Sequence, residues 1–179
     1  MYLQRTIREK IKVEGTGLHT GKPAALVFCP APENTGVHFV RRDLPGEPYI
    51  SPKTQFVQAT TMATTLGGEY FSVSTVEHCL SAVAALRIDN LIIELQGPEI
   101  PIGDGSARVF FDALTEAGII EQDQPFICLE RSADQCIEFL EATNQNYKIE
   151  LVEALKEKGE SITFYENILP TTKQGFSIG

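Results

Sequence analysis

The 179-residue chain has few cysteines, and no two of them form a C-x-x-C pair; they are Cys29, Cys79, Cys128 and Cys136. This spacing excludes a zinc knuckle and a thioredoxin-like redox pair. Four cysteines in a chain of this length do not indicate a disulfide scaffold either. We therefore expect free, mostly buried thiols in a reducing compartment.

Long apolar runs and an excess of basic charge are also absent. The most apolar stretch, residues 79–95, is interrupted by Arg87, Asp89 and Asn90, so it falls short of the roughly 20 apolar residues that span a membrane. The first fifteen residues carry charges where a signal peptide would be apolar. With 15 Lys and Arg against 24 Asp and Glu, the net charge is −9, which disfavours a nucleic-acid partner. These absences predict a cytoplasmic protein with no membrane span.

The composition that remains is that of a globular chain, with 42% hydrophobic residues and 14 glycines. At roughly 150 residues per domain, the length allows one domain, or one and part of a second. The sequence changes character after Pro125, where acidic amphipathic segments begin. We therefore predict a first domain over residues 1–126 and a short tail over 127–179 that is not a complete second domain.

Most of the first ninety residues have the pattern of β-strands, because apolar and polar residues alternate in short runs between turn residues. The predicted strands lie near residues 11–13, 24–29, 37–40 and 91–95. Gly67-Gly68 predicts a two-residue hairpin turn in which both glycines have positive φ.

Two helices are predicted after these strands. The first begins near Ser74, since Ser74-Thr-Val-Glu77 has the form of a capping box. The second covers about 107–117, with Gly118 at the position of a C′ glycine. The predicted fold class is α+β: a two-layer domain with a small, mostly antiparallel sheet and two helices on one face, followed by a short, mainly helical C-terminal segment.

Glu77-His78 stands out in the sequence, because a carboxylate and an imidazole open a helix together. The positive helix N-terminus favours an ionised Glu77 and a neutral His78, which are the forms needed by a general base and a metal ligand. The alternative is structural: Glu77 is only the capping-box acid, and His78 is an ordinary half-buried residue.

Other polar residues leave similar alternatives open. His19 lies in the glycine-rich turn 15–21, which is either a ligand-binding turn or simply a turn. Asp104 either caps the helix that follows or points into a cleft, and His38 is expected on a sheet face. The hydroxyl-rich run 60–65, which ends at Thr65, specifies nothing by itself.

Taken in order, the motifs resemble one family. They are Gln4-Arg-Thr, Gly15-Thr-Gly-Leu-His19-Thr-Gly, Pro32-Glu-Asn-Thr-Gly36-Val, Ala63-Thr-Thr-Leu-Gly67, Ser74-Thr-Val-Glu-His78, Ile88-Asp-Asn-Leu and Pro98-Glu-Ile-Pro-Ile-Gly-Asp-Gly-Ser-Ala107. Over about residues 3–126 the series is similar to the N-terminal domain of UDP-3-O-acyl-N-acetylglucosamine deacetylases, zinc amidases of lipid A biosynthesis.

The resemblance implies a zinc cofactor, with His78 as one metal ligand and Glu77 as the catalytic general base. It also implies that His19, Thr65 and Asp104 bind the UDP-linked acylated glucosamine. The family pairs two similar α+β domains helix to helix around the site. Its other two zinc ligands and a second catalytic histidine come from the second domain, yet no histidine follows His78 in this chain.

This departure leaves two function hypotheses. The chain is a partial or diverged zinc deacetylase, or it is a non-catalytic, truncated module that keeps the fold and a sugar-nucleotide or partner surface. If the family architecture holds, a homo-oligomer or the tail is expected to cover the helix stripes formed by Val76, Leu80, Val83, Phe110 and Leu114.

The tail carries a second, fainter resemblance. The segments Ile137-Glu-Phe-Leu, Tyr147-Lys-Ile-Glu-Leu and Glu160-Ser-Ile-Thr-Phe-Tyr165 are similar to a stretch in the editing region of threonyl-tRNA synthetases. This resemblance implies that the chain joins pieces of two families.

Overall fold

A computed structural model describes residues 3–125 and three short strands at 129–130, 162–164 and 176–178. The chain groups into two compact units, the first of which holds residues 3–125 and the second the three short strands. The strands are β1 Leu3–Ile7, β2 Ile11–Thr16, β3 Pro23–Pro30, β4 Val37–Arg41, β5 Tyr49–Ile50, β6 Val57–Ala59, β7 Thr65–Gly67, β8 Ser72–Ser74, β9 Leu91–Gln96, β10 Ile119–Pro125, β11 Leu129–Glu130, β12 Ile162–Phe164 and β13 Phe176–Ile178. The helices are α1 Glu77–Ala85, α2 Arg108–Glu116 and a 3₁₀ turn at Thr54–Phe56.

A five-stranded sheet forms the centre of the first unit, in the order β2-β3-β9-β4-β5. All its pairs are antiparallel except β4 with β9. Because side chains alternate across a strand, Leu26, Phe28, Phe39 and Ile93 share one face and are all buried. The predicted α+β class and the mostly antiparallel sheet are thus confirmed.

Both helices pack against each other and bury their apolar side chains in the same core as this sheet face. The Phe28 and Phe110 rings meet edge to face with centroids 6.4 Å apart, an arrangement that suits the charge distribution of two aromatic rings. Gly118 ends α2 at φ 72°, as its C′ position requires. The helix stripes expected to need an outside partner are 0% exposed within the chain, so they give no reason to expect a homo-oligomer.

The pairing of β1 with β10 joins the two ends of this unit. A buried amide network fixes the pair to the rest of the molecule: Asn90 Nδ2 donates to Gln4 Oε1 at 2.8 Å and to Gln122 Oε1 at 2.7 Å, and Asn90 Oδ1 accepts from the Gly36 N–H at 2.9 Å. Since each polar group finds a partner, burying Asn90 at 1% exposure carries no unsatisfied group.

The hairpin prediction at Gly67-Gly68 was wrong in detail. Strands β7 and β8 do pair, but Gly67 lies opposite Ser72 and the connection covers residues 68–71. Neither glycine has positive φ. Gly67 instead lies directly against the amide end of the exposed Gln58 side chain.

The described cysteines, Cys29 and Cys79, are both buried and free, as predicted. Burial raises the pKa of each thiol, which keeps both uncharged and unreactive. Among the described residues, no helix is long and apolar enough to cross a membrane. The helices predicted in the tail, Cys128 and Cys136 lie outside the described residues, as do the first two tail segments that resemble a synthetase editing region; of the third, only Ile162–Phe164 is described, as β12.

Candidate active site

The candidate site is built where β8 gives way to α1. Strand β8 ends at Ser74, Thr75 has a positive φ of 63°, and the helix begins at Glu77. A left-handed backbone is unusual for a β-branched residue, and it turns the chain sharply so that Glu77 and His78 form the first turn. Such strain is retained only where the surroundings impose it, often at functional sites.

The predicted capping box does not form. Ser74 belongs to β8, and the Thr65 hydroxyl donates to Ser74 Oγ at 3.1 Å. Glu77 does not reach back to Ser74; its Oε2 accepts the backbone N–H of Thr64 at 3.0 Å. Thr65 in β7 and the Thr64 N–H just before it therefore outcompete the local cap for both side chains, and the helix begins at Glu77 rather than near Ser74.

These contacts orient the carboxylate without enclosing it. Glu77 is half-buried, and one oxygen is held by Thr64 while no other donor among residues 3–125 reaches Oε1. His78 is also half-buried, and none of the described residues hydrogen-bonds to its ring. The pair is positioned by backbone, with one carboxylate oxygen and one imidazole left available for chemistry.

His19 lies at the tip of the turn 17–21, and its side chain is exposed. The turn closes on itself by the Gly21 N–H to Gly17 O hydrogen bond of 3.0 Å. The His19 and Thr20 N–H groups both donate to Glu99, at 2.8 Å to Oε1 and 2.9 Å to Oε2. Glu99 also accepts from the Thr75 hydroxyl at 3.3 Å, so it joins the His19 turn to the start of α1.

Sequence reasoning missed Glu99. The residue is 3% exposed, and burial by itself would raise its pKa. Hydrogen bonds from His19, Thr20 and Thr75 outweigh that effect and hold the pKa below its usual range. The only signal in the sequence is an acid placed among prolines and isoleucines in the 98–102 loop, which is weak evidence for a buried carboxylate.

Asp104 neither caps the helix nor contacts the rest of the site. Its Oδ1 accepts the Ser106 N–H at 3.0 Å and the Ser106 hydroxyl at 2.7 Å, and these bonds lower the pKa of Asp104. Ser106 Oγ, in turn, accepts the Arg108 N–H at the start of α2. Two residues before Asp104, the Ile102 N–H donates to Thr16 O at the end of β2, at 3.0 Å.

Thr65 and His38, the two remaining residues considered from the sequence, both lie in strands. Thr65 is half-buried in β7 with its hydroxyl turned to Ser74. His38 lies on the sheet face opposite the core, as expected, where its ring meets Tyr49 edge to face at 5.3 Å. Burial and the nearby Lys53 lower the pKa of His38.

The described residues offer few donors to a zinc ion. The part of the chain that the structure describes contains no group of three or more His, Cys, Asp or Glu residues that could hold a metal ion. A catalytic zinc uses about three protein ligands. His78 offers one suitable imidazole beside an oriented acid, so these residues fit one side of such a site and do not complete it.

Comparison with known proteins decides the family. The model of the LpxC family, UDP-3-O-acyl N-acetylglycosamine deacetylase, matches residues 4–164. The chain belongs to this family. The match runs beyond residue 126, where the motif-based resemblance ended, and so takes in part of the tail.

Individual relatives match over a shorter range. A UDP-3-O-acyl-N-acetylglucosamine deacetylase from Bdellovibrio bacteriovorus is 62% identical over 125 residues, which is 70% of this chain and 41% of that protein. The deacetylase of Chromohalobacter salexigens is 44% identical over 133 residues, 73% of this chain and 44% of its own. A bifunctional LpxC/FabZ enzyme from Porphyromonas gingivalis is 42% identical over 125 residues, 70% of this chain and 27% of its own. The chain thus spans less than half the length of these curated relatives.

Proposed function

We propose that this chain carries one side of a zinc-dependent deacetylase site, which hydrolyses the acetamide of UDP-3-O-acyl-N-acetylglucosamine in lipid A biosynthesis. The observation that carries the proposal is the pair Glu77-His78 on the first turn of α1, in a chain of the deacetylase family. Glu77 is held by the Thr64 N–H at one oxygen and is open at the other.

Glu77 is the proposed general base. A carboxylate with Oε2 fixed and Oε1 available can take a proton from an attacking water and later return it to the departing amine. His78 is the proposed zinc ligand, and the chemistry that zinc supplies in such a site is Lewis-acid polarisation of the carbonyl. Further ligands have to come from outside the described residues.

His19, Thr65 and Asp104 are the proposed contacts to the UDP-linked acylated glucosamine. The exposed positions of His19 and Asp104 support this assignment, since both present polar side chains to solvent. We also propose that residues 1–126 form the domain that carries these groups, with 127–179 as a separate tail. The free thiols of Cys29 and Cys79 support a reducing, cytoplasmic location.

The second candidate is a non-catalytic module that keeps the fold and a sugar-nucleotide surface. One observation favours it: the described residues contain no three-ligand metal cluster. In that case the chain would bind the UDP-linked sugar without releasing amine, and zinc would make no difference to the binding.

Zinc titration of the full chain, followed by the NMR signals of its three imidazoles and by amine release from the substrate, separates the two candidates. For the deacetylase we expect zinc to shift the His78 signals, and His78→Ala to abolish both that zinc response and amine release. Glu77→Gln keeps an acceptor for the Thr64 N–H but cannot take a proton, so it should retain the zinc shift and lose about 10²–10⁴-fold in amine release.

His38→Ala is the matched control, because this imidazole lies on the other face of the sheet and should affect neither readout. Substrate binding that is independent of zinc, with no amine released by the wild-type chain, would contradict the deacetylase and support the non-catalytic module.

A further inference from the structure

Glu99 is a buried carboxylate without a basic partner among residues 3–125. An ionised group in such a place is costly unless hydrogen bonds replace its water. Three neutral donors do so here, the His19 N–H, the Thr20 N–H and the Thr75 hydroxyl. Backbone N–H bonds to an ionised acceptor are among the stronger hydrogen bonds in proteins, so these contacts are worth more than ordinary turn bonds.

The donors come from two segments that are far apart in the chain. The turn 17–21 has little apolar anchorage of its own, since Leu18 is 57% exposed and His19 is exposed. Glu99 accepts both N–H groups at its tip. The position of His19 therefore depends on this carboxylate.

The other segment is the strained entry to α1. Thr75 holds φ 63° while 2% exposed, two residues before Glu77. Its neighbours are fixed by the Ser74 N–H to Pro98 O bond of 2.8 Å and the Val76 N–H to Thr64 O bond of 3.3 Å. Between these two backbone bonds, the Thr75 hydroxyl donates its hydrogen bond to the Glu99 carboxylate.

We propose that Glu99 is a positioning residue of the site: its carboxylate holds the His19 turn against the start of α1, so that His19 keeps a fixed place relative to Glu77 and His78. The relevance of Glu99 to catalysis rests on the proposed function. The packing at Gly17 supports it independently, because a Cβ there would overlap the Glu99 carboxylate and the Thr20 hydroxyl. The turn 17–21 and the Glu99 carboxylate are therefore in direct contact.

The test uses the full chain labelled for NMR, with Glu99→Ala and Glu99→Gln. Alanine removes both acceptors, whereas glutamine offers one oxygen and turns an NH₂ toward the second N–H donor. We expect the His19 and Thr20 amide protons to move upfield and to exchange about tenfold faster or more in Glu99→Ala, with a smaller change in Glu99→Gln. The imidazole signals of His19 should move with them, and those of His38 should not.

A second readout distinguishes positioning from general stability. Affinity for the UDP-linked acylated glucosamine, measured by calorimetry at a temperature where both variants are fully folded, should fall about tenfold in Glu99→Gln and stay unchanged in Glu121→Gln, which alters only the exposed ion pair with Arg5. Glutamine is nearly the same size as glutamate, so this variant decides the question if Glu99→Ala fails to fold.

Amide shifts and exchange at His19 and Thr20 that match those of Glu121→Gln would overturn the assignment. Failure of the proposed function looks different: the wild-type chain would bind no UDP-linked sugar, and zinc would not move the His78 signals. The amide signals of the turn would still report whether Glu99 holds it.

Discussion

At the scale of single residues, Gly17 is the position that the Glu99 contact constrains most tightly. Its φ is not positive, so the requirement for glycine is space rather than backbone conformation. We expect Gly17→Ala to displace the carboxylate from the His19 and Thr20 N–H groups and to lower the free energy of unfolding by about 1–3 kcal/mol. Thermal or urea unfolding gives the free energy, and the His19 amide signal shows whether the turn has moved.

Gly68→Ala is the matched control. A Cβ there would lie 3.1 Å from the Phe71 ring, which is a half-buried side chain able to shift slightly. Its cost should stay within about 0.5 kcal/mol. Equal losses in the two variants would show that the glycine turn is not fitted to Glu99.

Only some of the site residues can be recognised from the sequence. Glu77 and His78 are visible because they are adjacent and chemically distinctive. Glu99 is not visible, because its partners are backbone N–H groups and a hydroxyl, eighty and twenty-four residues away, and such donors leave no mark on composition or spacing. Asp104 is visible as an acid in a glycine loop, but its hydrogen bonds to Ser106 follow only from the conformation of that loop.

At the scale of elements, the attachment of α2 to the sheet depends on Phe110. This ring is 0% exposed and meets Phe28 edge to face. Phe110→Ala would leave a cavity between helix and sheet, so we expect a loss of about 3–5 kcal/mol in unfolding free energy. Urea denaturation followed by circular dichroism measures it.

The next residue supplies the comparison. Phe111 is 38% exposed on the same helix, so Phe111→Ala removes a ring of the same size with far less loss of packing. It should cost about 1 kcal/mol or less. If Phe111→Ala proves as costly as Phe110→Ala, the helix is not held mainly by the side that faces the sheet.

Elements whose signal is local were predictable from sequence. Strands β2, β3, β4 and β9 show their alternation within a few residues, and α2 carries its stripe and its terminal Gly118. The capping box at Ser74 failed because β7 and the residue before it supply competing partners, Thr65 for Ser74 and Thr64 for Glu77. The β1–β10 pair escaped prediction because its register, Ile7 opposite Ile119, joins residues more than a hundred positions apart. Long-range pairing is decided by packing, which no short window contains.

At the scale of the whole molecule, stability should fall in acid because of two carboxylates. Hydrogen bonds from Arg41 lower the pKa of Asp43 to about 2, from an ordinary 3.8. The pKa of Glu99 is also lowered, since its hydrogen bonds from His19, Thr20 and Thr75 outweigh burial. A carboxyl whose folded pKa is depressed stabilises the fold above its unfolded pKa and loses that contribution as the pH falls through the folded value. We therefore expect the unfolding free energy to decrease as the pH falls from about 4.5 toward 2.

Asp89 acts in the opposite direction. Burial raises its pKa, so its charge costs stability at neutral pH and protonation relieves that cost as the pH falls.

Asp43→Asn separates the contributions of these carboxylates to stability. It leaves Asp89 and Glu99 intact and removes the contribution of Asp43 between pH 4 and 2, on the order of 1 kcal/mol after solvent screening. Urea unfolding between pH 2 and 7 gives the free energy of unfolding of the wild type and of Asp43→Asn. Arg41 also donates to Ser72 O at 2.9 Å, so it should stay in place in Asp43→Asn. We expect this variant to be less stable at pH 7, because the ion pair is lost, and to lose less stability than the wild type as the pH falls (a flatter acid limb). An unchanged acid limb would mean that the Arg41–Asp43 pair does not report on folding of this unit.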